Sequence, residues 1–156
     1  MLRFMGSLYD RDLVLWSEEQ ARALREAARA GWNVPIDWEN VAEEIEGLGR
    51  SDRRALASHI AIVIEHLLKL QVAPTREPAR GWEDTILRVR GEIEQLLSES
   101  PSLRGEVADI ISKRLPRARL LARSNLQRYS EQPLSDIDQI TYTEEQVLGD
   151  WMPERA

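Results

Sequence analysis

The sequence contains no cysteine, so disulfides, zinc–thiolate centres and thiol nucleophiles are all excluded. Histidine is scarce, confined to His59 and His66, and lysine is nearly absent, since 19 of the 21 basic residues are arginine. Arginine has the better geometry for pairing with carboxylates and phosphates, although a GC-rich coding sequence explains the same bias without any function. No apolar run reaches the length of a membrane span, and the opening MLRFMGSLYDRD lacks the apolar core of a secretory signal. These absences predict a soluble, cytoplasmic protein. Gly-x-Ser-x-Gly is missing, no serine has a histidine at motif spacing, and no glycine loop is built to cradle phosphate. A net charge of -6 argues against a uniformly basic nucleic-acid binder.

What is present is helical periodicity. The stretch HIAIVIEHLLKL, with Leu56 before it, places Leu56, Ile60, Val63, Leu67 and Leu70 at intervals of four, three, four and three, the one-face pattern of an α-helix. Ile62, Ile64 and Leu68 widen that face, so the helix over 51–71 is expected to be covered on most sides by others. Trp82, Ile86, Val89, Ile93 and Leu96 repeat the same spacing, which favours side-by-side packing.

Further signals mark the boundaries. Ser17–Gln20 and Thr143–Gln146 read as capping boxes. Asp37 reads as an N-cap, Ser100-Pro101 as a helix start, and Gly31 as a helix stop. The Gly47-Leu48-Gly49 stretch is expected to end one helix, with Ser51 and Asp52 starting the next, and Pro116 to kink its helix without ending it. Trp38, Val41, Ala42, Ile45 and Leu48 form a stripe expected to be core, with Trp38 and Trp82 as core anchors. No segment alternates as a strand does. The 156 residues therefore predict one all-α domain, a bundle of four main helices with short terminal ones, over about 8–16, 17–30, 37–48, 51–71, 82–98, 101–128 and 143–148.

Several of these residues form a series. It runs Tyr9-Asp10-x-Asp12 with Trp16, then Asp37-Trp38-Glu39 through Glu43-Glu44-Ile45-Glu46 to Leu48-Gly49-Arg50. His66-Leu67-Leu68-Lys69, Trp82 with Ile86 and Arg90, Ser100-Pro101-Ser102-Leu103, and Ile140-Thr141-Tyr142-Thr143 with Leu148 and Met152-Pro153 complete it. The series resembles the bacterial family called domain of unknown function 29, nearly end to end and in motif order. The resemblance implies a compact, all-helical domain of the bacterial cytoplasm. It implies no activity.

Three constellations carry possible chemistry. Glu44, His66 and Arg90 each flank an apolar stripe, and a seam that brought them together would hold a carboxylate–histidine general base with an arginine for an anion; the same three side chains also suit a structural polar network. A metal site is not expected. His59 and His66 lie about 10.5 Å apart along a helix, and neither Glu-x-x-His nor His-Glu-x-x-His is present. No cofactor is expected either. Finally, Ile110–Ser130 has no acidic residue but holds Lys113, Arg114, Arg117, Arg119, Arg123 and Arg128, a face able to bind phosphates through Arg114, Arg117 and Arg123. Tyr129 is its one aromatic, which gives little base stacking. The acidic cluster Glu39, Glu43, Glu44 and Glu46 is an alternative partner for that face, within the chain or across a dimer.

The expected function is that of a non-catalytic module that binds another protein or itself. A hydrolase or nuclease using Glu44, His66 and Arg90 is the alternative, and nucleic-acid binding through residues 113–128 a further one.

Overall fold

The computed structural model describes residues 7–154. Met1–Gly6, part of the N-terminal stretch read above, lie outside the described residues. The fold is all-α: 76% helical, with no strand among the described residues. Its helices are α1 (Leu8–Arg11), α2 (Leu13–Arg29), α3 (Trp38–Val72), α4 (Ala79–Glu99), α5 (Val107–Arg128) and α6 (Glu144–Leu148), with 3-10 turns at Pro101–Glu106 and Ile137–Gln139. The residues group into two compact units: Met1–Ala55 with Leu96–Arg104, and Leu56–Gln95 with Gly105–Ala156.

In the first unit, α2 begins earlier than its expected capping box. Asp12 is the N-cap, its Oδ1 accepting from the Leu15 amide at 2.9 Å. Its carboxylate also accepts from the Ser102 amide at 2.7 Å and the Ser102 hydroxyl at 3.0 Å. Ser100 answers in kind, its Oγ taking the Val14 amide at 3.3 Å. One buried acid thus satisfies free N–H groups at two helical starts. Ser17, expected at the start of α2, is instead a fully buried interior residue whose hydroxyl donates to the Val14 carbonyl at 2.8 Å. Gly31, with φ of +72°, follows α2 in the left-handed conformation that glycine adopts without steric cost, as its position predicted.

The two helices expected over 37–48 and 51–71 are one, α3, unbroken through Gly47 and Gly49. Its start is capped by Asp37, whose Oδ1 accepts the Asn40 amide at 3.3 Å. Interior glycine costs a helix about 1 kcal/mol against alanine, too little to stop it where packing compensates. Gly49 has that compensation. It is buried against α2, and a Cβ there would lie 2.7 Å from Ser17 Oγ and 3.5 Å from Val14 Cγ1. The glycine marks a close helix approach, not a chain break.

In the second unit the core follows the periodicity closely. Leu56, Ile60, Val63, Ile64, Leu67 and Leu68 of α3 are fully buried, as are Ile86 and Val89 of α4. The α4 stripe runs to Ile93 in this unit, and beyond it, in the first unit, Leu97 is buried rather than Leu96. The predicted stripe of α5 is buried on both sides of Pro116, and the helix continues through that proline. Each such aliphatic side chain contributes about 1.5–3 kcal/mol on burial. The predicted Thr143–Gln146 capping box is present at α6. One expectation needs correcting. α3 contains an 18-residue window of mean hydropathy 1.4, long and apolar enough on those grounds alone to cross a membrane, but half of that window is buried inside the fold. The core helix of a soluble protein passes the same test.

Candidate functional site

Arg90, considered above as the anion holder beside Glu44 and His66, is occupied by the backbone. Its Nε donates to the Val147 carbonyl at 3.0 Å, and its Nη2 donates to the carbonyls of Gln146 and Trp151, both at 2.7 Å. Gln146 and Val147 lie in the last turn of α6, where carbonyls lack partners within the helix. A buried guanidinium therefore closes the end of a helix, a place the helix dipole favours for a cation. Burial pulls the arginine's pKa below its usual value, with Asp150 opposing. Arg119 does similar work, its Nη2 donating to the Ile140 carbonyl at 2.7 Å, while Arg123 pairs with Asp138. The Tyr142 hydroxyl donates to Gln71 Oε1 at 2.9 Å, and burial raises its pKa. Residues 138–151 are in this way strapped to the helices of the second unit.

His66 is half-buried on α3, its Nδ1 2.8 Å from the Ile62 carbonyl of its own helix. A carbonyl only accepts, so Nδ1 carries the proton. Burial lowers the pKa of His66, outweighing the contribution of that hydrogen bond. Glu44 is exposed on the same unbroken helix, but in the first unit. The seam in which Glu44 and His66 were expected to meet required two separate helices, and there is one. Among the described residues no group of three or more His, Asp or Glu side chains is placed to hold a metal ion. His59 Nδ1 lies 3.3 Å from Glu92 Oε2, close but without hydrogen-bond alignment.

The acidic cluster has partners in its own unit. Arg25 bonds Glu39 at 3.1 Å and Glu46 at 2.9 Å, and Arg50 bonds Glu43 at 2.6 Å. The bond from Arg25 holds the Glu46 carboxyl below its ordinary pKa. In the basic run, Lys113 pairs with Asp109 at 2.7 Å, as Arg123 does with Asp138, whereas Arg114 and Arg117 are exposed with no ion pair among the described residues.

Two features went unread in the sequence. The stripe of α3's first turns, expected to be core, buries only Ala42. Val41 and Leu48 are 39% and 45% exposed, with Trp38 and Ile45 half-buried beside them. Just before it, Trp32, Val34 and Ile36 project from a loop in which alternate amides, those of Val34, Ile36 and Trp38, bond the carbonyl two residues back at 2.8–3.0 Å. Such turns are tight and local. Alternation over three residues was too short a signal to find them.

The second feature is a cleft of about 580 Å³ in the other unit, with Trp82, Tyr129, Asn125, Glu77 and Glu131 in its walls. Trp82 is thus half-buried in a cleft wall rather than a core anchor. Thr75 and Glu131 join by a hydrogen bond across the lining. Ser130, between Tyr129 and Glu131, has a φ of +54°, which lets its amide bond the Gln127 carbonyl at 3.1 Å and that of Glu131 bond Leu126 at 2.9 Å. This is a Schellman end to α5 with serine where glycine is usual.

The fold and these sites define an all-α protein in which Arg90 and Arg119 grip its own backbone and the exposed features include apolar side chains of the first unit and an open cleft of the second. The chain belongs to the family described as Domain of unknown function DUF29, whose profile matches residues 8–152. It is similar in fold to an α-helical protein of unknown function from Rhodospirillum rubrum, with a TM-score of 0.79, 23% identity, and coverage of 93% of this chain and 91% of that one. A search of curated proteins finds no match.

Proposed function

We propose that this chain is a non-catalytic interaction module of the bacterial cytoplasm that docks another protein on the apolar ridge of its first unit. The observation that carries this reading is the exposure of Val41 and Leu48, two turns apart on one face of α3, together with Trp32, Val34 and Ile36. Exposed apolar side chains that gather into a patch mark protein–protein interaction sites. The polar residues first considered for catalysis support it from the other side, because Arg90 is committed to three carbonyls and His66 to its own helix.

The test compares the full chain with a Trp32→Ser, Ile36→Ser, Val41→Ser, Leu48→Ser variant. Affinity capture from the native host, with sedimentation of the purified protein, should give a protein or a self-association present for the first and lost for the second, at unchanged circular dichroism. Identical capture and mass for both would refute it.

A second reading rests on Arg114 and Arg117, exposed and free of ion pairs among the described residues. It is phosphate or nucleic-acid contact through α5. Binding to a fluorescent duplex at low salt, lost on Arg114→Gln with Arg117→Gln, would favour it, and no binding at low salt would end it.

A further inference from the structure

We propose that the cleft between the start of α4 and the end of α5 binds a methylated ammonium ion. Three observations converge on that chemistry. The cleft has the size of a small-molecule site, about 580 Å³, within the range of roughly 300–1,000 Å³ usual for such pockets. Two aromatic side chains line it, Trp82 from the first turn of α4 and Tyr129 from the cap of α5, and Tyr129 is 65% exposed with its ring available to a ligand. Its charged lining residues are Glu77 and Glu131, both acidic, with no lysine or arginine among them.

Each part of that lining selects against other occupants. Two carboxylates repel phosphates and carboxylates. A metal ion would need a third oxygen or nitrogen ligand of the kind the described residues do not group together. An alkylated ammonium is weakly hydrated, attracted to the faces of tryptophan and tyrosine, and balanced by a nearby carboxylate without having to surrender a tight water shell. The C-terminal end of α5 adds the negative end of its dipole beside Tyr129. Asn125, half-buried in the last turn of the helix, supplies an amide for a polar group attached to the ammonium. The strained Ser130 holds Tyr129 and Glu131 on either side of it at the rim. This site is separate from the protein-docking reading and survives its failure.

The experiment follows the indole N–H resonances of the 15N-labelled full chain, the Trp82 signal being assigned by its loss in Trp82→Phe. Three probes are titrated: choline, a short peptide carrying trimethyllysine, and 3,3-dimethylbutanol, the uncharged carbon counterpart of choline. The expected result is a saturable shift of the Trp82 signal by choline or by the peptide, the better of the two telling a free solute from a modified chain. The uncharged alcohol should bind at least about tenfold more weakly. Tyr129→Ala, at an exposed position where folding is spared, should weaken binding by roughly tenfold, and Glu77→Gln by about threefold. No saturable shift with either cation, an equal response to the alcohol, or undiminished binding in Tyr129→Ala would overturn the proposal.

Discussion

Gly49→Ala should destabilise the protein while Gly47→Ala stabilises it, although the two glycines lie only two residues apart in the same helix. Alanine gains about 1 kcal/mol over glycine in a helix interior, and that gain applies to both. At Gly47 the added Cβ meets nothing nearer than the tip of Arg50, at 3.7 Å. At Gly49 it would lie 2.7 Å from Ser17 Oγ, inside contact distance. Ser17 is fully buried and bonded to Val14, so it has nowhere to turn. Overpacking of this kind costs about 1–3 kcal/mol, and a broken hydrogen bond adds about 1 kcal/mol. The net expectation is a loss of about 1–3 kcal/mol for Gly49→Ala against a gain of about 1 kcal/mol for Gly47→Ala. Urea denaturation followed by circular dichroism measures both. Ser17→Ala combined with Gly49→Ala removes the offending oxygen and leaves ordinary contacts at 3.5 and 3.7 Å. The double variant should recover about 1–2 kcal/mol of coupling. If Gly49→Ala equals or exceeds the wild type in stability and the pair shows no coupling, the close approach of α2 to α3 is wrong.

Arg90→Met should cost about 3 kcal/mol or more, because three carbonyls lose a charged donor, and hydrogen exchange should show faster exchange in α6. Arg90→Lys should not rescue it, since a single ammonium lacks the guanidinium's planar fork. Asp12→Ala should cost about 2 kcal/mol through the helical starts it serves, with Asp12→Asn intermediate, both read from denaturation midpoints. Because burial lowers the pKa of His66, the unfolded chain takes up its proton first as pH falls. Stability should then decline below about pH 6.5 until the folded-state pKa is passed, and His66→Gln should flatten that slope in pH-dependent melts; an unchanged slope would refute the assignment. Ser130→Gly should raise stability by up to about 1 kcal/mol by removing left-handed strain.

Periodicity made the second unit's core legible because aliphatic residues at helical spacing have few other uses. Leu56 to Leu70 and Val107 to Leu126 were placed correctly, the latter across a proline. Errors arose where one residue type serves two physical ends. Glycine ends helices and also lets them touch, and at Gly49 it does the second. Serine followed by glutamine three places on is a capping pattern, but Ser17 spends its hydroxyl on Val14 inside the helix. An apolar stripe predicts burial only if a partner is supplied, and the face carrying Val41 and Leu48 has none in the described fold. Arg90 flanks an apolar stripe, as its spacing indicates, but its acceptors are backbone atoms some 56–61 positions away in sequence, which no side-chain pattern records.

An arginine that grips carbonyl oxygens is indifferent to the identity of the residues that carry them. Gln146, Val147 and Trp151 present to Arg90 the one feature every amino acid shares. Mutation in the tail can therefore rewrite its surface while leaving its anchorage intact, so long as the chain still turns there. A lineage is free to vary what this end of the molecule displays without renegotiating how it is fastened.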